Sequence, residues 1–329
     1  MKAIVVQGEK GRPELVWDEV ADVGCGPEEV VVAVRATAVN RADLLQARGG
    51  YPPPPGASDI IGLEMAGEIV ALGEGVVGWE VGDRVCALLP GGGYAELTAV
   101  PYQMLVKIPD NWSFAQAAAF PEVWYTAYLN LFGEGQLKAG EVALIHAGGS
   151  GVGTAAVQLA VLAGAQAFVT AGTEEKLQAC RELGATLAVN YKTADFLPAV
   201  LAATNNRGVD VILDPVGAGY LMKNLRALAI NGRLVSIGLL SGGQTEINLG
   251  LLLGKRLRLI GSTLRNRPLA EKVAIRNGFE QRFWPFFASG QLQPIIDTTF
   301  PITQAQAAHE YVAADKNIGK VVLLVNNGD

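Results

Sequence analysis

The chemistry of this chain is most legible between Glu141 and Gly164. The apolar run Val142-Ala143-Leu144-Ile145 is followed by Ala147-Gly148-Gly149-Ser150-Gly151-Val152-Gly153, then by an Ala/Val/Leu segment long enough for a helix. The apolar run is too short for a globular helix and reads as a buried strand. Strand, glycine turn and helix suit a dinucleotide pyrophosphate. Free backbone N–H groups and the positive end of the helix dipole meet the phosphates, and missing side chains let the ligand approach. Against G-x-G-x-x-G, Gly148 and Gly153 fit, and Ser150 takes the middle position. Taken alone, the turn also suits an ordinary β–α connection, because the chain holds 40 glycines in 329 residues.

The next strand separates the two nicotinamide nucleotides. NAD sites place an Asp or Glu at its tip, about 20 residues past the glycine turn, to accept the ribose 2′-OH. Here the strand ends Val169-Thr170-Ala171-Gly172-Thr173 with no carboxylate at the tip, and Glu174 and Glu175 fall inside the following helix. Lys176 lies in that helix's first turn, and Tyr191 follows the third strand. A missing acid with a lysine nearby suits a 2′-phosphate, which an Asp would repel. Lys176 alone is equally readable as a solvated helix residue; the absent acid carries the argument for NADPH.

The elements that must position these groups fall into two textures. Residues 1–118 hold short β-type runs, Ala3–Val6, Glu29–Ala38, Glu64–Leu72, Arg84–Leu89 and Tyr94–Val100, punctuated by glycine and proline turns. They predict a compact, partly barrel-like β domain. From 119 strands and helices alternate, opening with a helical stretch at Phe114–Phe132 and running to a strand at Arg258–Ser262, which predicts a parallel, doubly wound sheet over 119–263. Residues 264–329 read as helical with a final strand at Gly319–Val325, returning to the first domain.

Composition narrows the function. A hydrophobic content of 50% with 18% charged residues describes a globular chain, and a net charge of −6 argues against nucleic acid or an anionic membrane as partner. Cys25, Cys86 and Cys180 lie far apart and only His146 and His309 are present, a poor inventory for zinc. No run of about 18 apolar residues appears, and a cytoplasmic location is expected. His146 reads as a packed, hydrogen-bonded residue, and Trp284, Phe286 and Phe287 as core or interface.

Several segments together carry a resemblance. Ala38-Val39-Asn40-Arg41-Ala42-Asp43, Gly62-Leu63-Glu64-Met65-Ala66-Gly67, Val81-Gly82-Asp83-Arg84-Val85, His146 to Gln158 and Asn317-Ile318-Gly319-Lys320 resemble the medium-chain dehydrogenases/reductases, in the zinc-free quinone oxidoreductase (zeta-crystallin-like) branch. Tyr51-Pro52-Pro53-Pro54-Pro55-Gly56-Ala57-Ser58 and Leu88-Leu89-Pro90-Gly91-Gly92-Gly93 look like its tumour-suppressor-inducible subgroup. The resemblance implies an α/β chain: a GroES-like β-rich catalytic domain over 1–118 and 264–329, and a Rossmann NADPH-binding domain over 119–263. Asn40 and Leu63 stand where zinc-dependent members carry metal ligands, so no metal site is expected.

The resemblance also implies roles. Asn40 and Thr126 are expected near the nicotinamide ribose and carboxamide, and Ser150, Gly151 and Val152 on the pyrophosphate. Gly172, Thr173, Lys176 and Tyr191 are expected at the adenosine phosphate. The Ile237–Leu240 turn with Gly238 and Leu239, then Thr263, Leu264 and Arg265, would line the cofactor's other side, with Asn317 closing a cleft between the domains. Simple core packing is the alternative for each apolar member. Tyr51, in its proline-stiffened loop, could hydrogen-bond a quinone oxygen or protonate a developing enolate; the alternative is a loop-packing tyrosine. The implied activity is NADPH-dependent, metal-free reduction of a small quinone, by a homodimer or tetramer joined through strand Arg258–Ser262. An enone, alkenal or enoyl-thioester reductase, with an enone-type substrate, is the nearest alternative. A non-catalytic NADPH-binding sensor is a further one.

Overall fold

The computed structural model describes residues 1–9 and 11–325. The chain divides into two units, Met1–Val123 with the chain from Arg265 onward, and Trp124–Leu264. The division therefore falls after Val123 and after Leu264, whereas the change of sequence texture lies at 118/119 and 263/264.

In the first unit β1 (Lys2–Glu9) and β2 (Arg12–Glu19) pair antiparallel. β2 lies outside the strands expected from the sequence, because its charged ends mask the alternation of Leu15 and Trp17. β3 (Glu29–Val39), β4 (Glu64–Leu72), β5 (Arg84–Leu88), β6 (Leu97–Pro101) and β7 (Val106–Lys107) follow. β3 is rich in β-branched residues, and Val30, Val32 and Val34 are buried on one face of it, as a sheet interior demands. The expected helix Phe114–Phe132 is instead broken into Phe114–Ala118, Pro121–Tyr128 and a π turn at Leu129–Glu134. Pro121 cannot donate to an i−4 carbonyl, so the first helix ends before it.

The second unit is one parallel sheet of β8 (Val142–Ile145), β9 (Gln166–Ala171), β10 (Leu187–Asn190), β11 (Val209–Asp214), β12 (Leu228–Ser236) and β13 (Arg258–Gly261). Its order is β10-β9-β8-β11-β12-β13. Val142, Leu144, Phe168, Ile212 and Leu234 belong to one buried cluster. The chain leaves β8 for β9 on one side, and β11 lies on its other side. The order reverses there, so the loop after β8 faces the crevice at the strands' carboxyl ends.

The chain returns to the first unit after Leu264. Helix Leu269–Phe283 carries Phe279 into an aromatic cluster with Trp112, Phe120, Trp284 and Phe287; Phe120 and Trp284 meet edge-on at 5.1 Å between ring centroids. Trp284 and Phe287 are thus packing residues. β14 (Ile296–Pro301), in a region read as helical, pairs parallel with β15 (Lys320–Leu324). β15 in turn pairs antiparallel with β3, giving the order β14-β15-β3-β4-β5-β7 with β6 also on β3.

Candidate active site

The nucleotide end is built on the carboxyl ends of the second unit's strands. After β8 the backbone passes through Ala147 at φ 54, and Ser150 begins the helix Gly151–Leu162. The Ser150 hydroxyl accepts the Gly153 N–H at 3.0 Å. The amides of Gly151 and Val152, in the helix's first turn, have no intrahelical acceptor and are free for an anion. Glycine is required at Gly153, where a Cβ would stand 2.4 Å from the carbonyl oxygens of Ala147 and Gly148. At Gly149 a Cβ would run into the Lys176 stem, 2.9 Å from its Cγ, so the lysine lies across the turn itself.

The segment expected at the adenosine phosphate begins at Gly172, after β9. Thr173 caps the helix Glu174–Glu182 by accepting the Lys176 N–H at 3.3 Å. A Cβ on Gly172 would stand 2.8 Å from the Tyr191 hydroxyl and 3.1 Å from Lys192 Cε. Tyr191 and Lys192 thus meet at Gly172, where the sequence has no acid, while Lys176 lies against Gly149. Lys192 escapes a reading based on the second strand because it follows the third. Gly238 packs on Pro215, and the Leu240 and Ser241 amides donate to the Pro215 and Val216 carbonyls, lacing the turns after β11 and β12 together. Leu239 is exposed on that turn, as is Thr263 beyond β13, whereas Leu264 is buried.

His146, between β8 and the turn, is buried. Asn224 donates its Nδ2 to Asp214, so its Oδ1 must accept from His146 Nε2–H at 2.8 Å, and Nδ1 accepts from the Thr170 hydroxyl at 2.9 Å. Burial holds the ring neutral, pulling it down to about 4. It is a packing residue, as its sequence context suggests.

In the first unit the Tyr51 loop is fixed by Arg265. The guanidinium donates from Nη1 to the Tyr51 carbonyl (3.2 Å), from Nε to that of Pro90 (2.7 Å) and from Nη2 to Gln46 Oε1 (2.7 Å), and it lies 5.2 Å from the Tyr51 ring centroid. Arg265, expected on the cofactor, is engaged with this loop. Burial, then the nearby charge of Glu122, raise the phenol above its ordinary range. Glu122 is half-buried in the first turn of the helix Pro121–Tyr128. Burial, then the charge of Glu64, push its carboxyl up to about 8.

Glu64 anchors a buried polar group. Its Oε1 takes the Lys320 ammonium (2.8 Å) and Asn40 Nδ2 (2.8 Å), and its Oε2 takes the Glu122 N–H (2.8 Å). Lys320 also donates to Asn40 Oδ1 (2.6 Å) and the Val39 carbonyl (3.0 Å). Asn40, expected at the nicotinamide ribose, therefore has both ends of its amide occupied inside the first unit. Thr126 gives its carbonyl to Asn130 Nδ2 at 2.7 Å, and Asn317 Nδ2 donates to the Gly319 carbonyl at 2.7 Å, which shapes the turn into β15.

Comparison with known proteins places this arrangement. Residues 26–110 match the alcohol dehydrogenase GroES-like domain, and residues 151–280 the model described as zinc-binding dehydrogenase. A quinone oxidoreductase-like protein 2 homolog of Nematostella vectensis is 31% identical over 97% of this chain and 88% of its own length. The 2-haloacrylate reductase of a Burkholderia species is 32% identical over 98% of both. This chain belongs to the medium-chain dehydrogenase/reductase family, among its quinone oxidoreductases. The Escherichia coli quinone oxidoreductase solved in complex with NADPH is similar in structure, with a TM-score of 0.88, 29% identity and coverage of 99% of this chain and all of the other.

As a member of that family the protein combines a GroES-like unit with a Rossmann unit and is an oxidoreductase. The glycine cradle and its free first-turn amides fit a nicotinamide dinucleotide. The residues at Asn40 and Leu63 do not fit zinc: the amide is bonded to an ammonium and a carboxylate, and Leu63 is a buried hydrocarbon. Among the described residues no three His, Cys, Asp or Glu side chains gather into a metal-holding group, and no helix is long and apolar enough to cross a membrane. Glu122 is the group sequence reasoning passes over. A Pro-Glu pair ahead of an apolar helix is its only local sign, and its surroundings come from residues far away in the chain.

Proposed function

We propose that the protein reduces quinones with NADPH, and that Tyr51, with Glu122 beside it, serves the acceptor. The observation that carries this is the phenol held on a proline-stiffened loop by the guanidinium of Arg265. Lys192 at Gly172 and Lys176 at Gly149 support NADPH over NADH, since cations beside the turns suit a 2′-phosphate and no strand-tip acid opposes it. Bound nicotinamide supplies the hydride, and the chain's task is orientation and protons. The Tyr51 hydroxyl hydrogen-bonds the acceptor oxygen as negative charge develops there. Glu122, whose carboxyl is pushed up to about 8, is the acid whose charge the phenol feels.

The same proton source favours a second activity, reduction of conjugated alkenes. The Burkholderia relative is named for a 2-haloacrylate, an α,β-unsaturated carboxylate, which supports this reading. The deciding experiment is NADPH oxidation with an ortho-quinone and a 2-enal assayed side by side, in wild type and Tyr51→Phe. Tyr51→Phe is expected to cut alkene turnover by roughly a hundredfold and quinone turnover far less. Equal loss on both would remove Tyr51 from proton transfer, and no turnover of either with tight NADPH binding would favour a sensor. We further propose a homodimer through β13, the sheet's edge strand, which leaves Leu259 41% exposed. A monomer at micromolar concentration in sedimentation would refute it.

A further inference from the structure

A cavity of about 470 Å³ opens within the first unit, enough for a ligand larger than a simple quinone. Pro54, Ile60, Leu97 and Met104 give it apolar walls, and Arg265, Arg267 and Lys272 bring three cations to it. Glu29 is the carboxylate among its lining residues, and that carboxylate already accepts the Gly26 N–H at 3.1 Å.

The three cations are not equivalent. Arg265 is bonded to Tyr51, Pro90 and Gln46, and Arg267 to Glu271 at 3.2 Å. Lys272 is half-buried on the helix Leu269–Phe283, and its ammonium has no hydrogen bond or ion pair among the described residues. Its charged neighbours are Glu122 and Arg265. Burial draws it below the usual lysine range, and Glu122 at about 8 offers little compensating charge at neutral pH. A half-buried ammonium beside an apolar cavity is costly until an anion meets it. The cavity also shares the loop that carries Tyr51: Pro54 to Ser58 line it, and Arg265 joins it to the Tyr51 carbonyl.

We propose that this cavity is a subsite for an apolar chain or ring bearing a carboxylate, with the carboxylate seated on Lys272. The acceptors best used are then amphiphilic acids. The assignment of the subsite to the acceptor rests on the reading of Tyr51 given above; the seat itself does not.

Two measurements on the full chain test it. Octanoate and octanol are titrated calorimetrically into wild type, Lys272→Gln and Lys272→Arg. A charge-assisted hydrogen bond predicts that octanoate binds wild type roughly tenfold or more tighter than octanol. Lys272→Gln should erase that preference and Lys272→Arg should keep most of it. Octanoate binding no better than octanol, or a preference that survives in Lys272→Gln, overturns the seat. Next, kcat/KM is compared for a naphthoquinone carrying a carboxypropyl chain and for its methyl ester. A preference for the acid that falls in Lys272→Gln supports the subsite. Turnover of both without preference overturns it and leaves the quinone reading standing. Lys272-dependent octanoate binding in a protein that turns over no acceptor does the reverse.

Discussion

Replacing Glu122 by Gln should flatten the dependence of stability on pH between about 6.5 and 8. The Glu122 carboxyl lies at about 8 in the folded protein, against 4.5 for an ordinary glutamate, because burial and then Glu64 disfavour its charge. Below 4.5 both folded and unfolded chains hold the proton, and the group contributes nothing to the pH dependence. Above 4.5 the unfolded chain releases a proton that the folded one keeps, so stability falls as pH rises, and the fall ends above about 8. One proton corresponds to about 1.36 kcal/mol per pH unit. Allowing for partial ionisation of Glu122 near its own midpoint, the loss from pH 6.5 to 8 is about 1.5 kcal/mol. Asp43, raised to about 7 chiefly by burial, adds a smaller loss of the same sign, about 0.8 kcal/mol. His146 and His309, both drawn down to about 4 by burial, act oppositely. Their contribution rises from about pH 4 and, because an unfolded imidazole is half protonated at 6.5, the two still gain about 0.8 kcal/mol between 6.5 and 8, offsetting Asp43. Wild type should therefore lose about 1.5 kcal/mol across the window and Glu122→Gln close to none. Urea unfolding followed by tryptophan fluorescence reads the relevant unit, because Trp17, Trp79, Trp112 and Trp284 all lie in it. Equal slopes in the two proteins, or a wild type that gains stability with pH, would refute the placement of that proton on Glu122.

Lys320→Met should lower stability by about 3–5 kcal/mol in the same assay, because it strands the buried Glu64 carboxylate. Adding Glu64→Gln should recover part of that loss, and no recovery would show that packing rather than charge dominates. Gly149→Ala places a methyl 2.9 Å from Lys176 Cγ and should swing that stem aside. The kcat/KM preference for NADPH over NADH should then drop roughly tenfold, and an unchanged preference would remove Lys176 from nucleotide selection. Ser150→Ala deletes the cap on Gly153 and should cost about 1 kcal/mol. A denaturation midpoint equal to wild type would contradict it.

The sequence by itself determined the nucleotide end. A β-strand, a glycine turn and a helix start are local features, and their residues lie within a dozen positions of one another, so composition and spacing suffice to find them. Ser150 and Thr173 cap helices where the pattern put helix starts, and the parallel sheet follows from regular β–α alternation. Elements whose signal is masked or interrupted were less legible: β2 has charged ends, β14 ends at a proline, and Pro121 divides what periodicity reads as one helix. Only the tertiary structure decided the surroundings of Tyr51 and Asn40. Arg265 reaches Tyr51 across 214 positions, Lys320 reaches Asn40 across 280, and Lys192 meets Gly172 from another strand. Asn40 was picked out by its motif, yet its amide is engaged by two partners the motif does not contain. The charge on Glu122 and the solitude of Lys272 depend on burial and on which distant carboxylates and cations the fold brings near. Those are properties of the low-dielectric interior and of chain topology, and local sequence does not encode them.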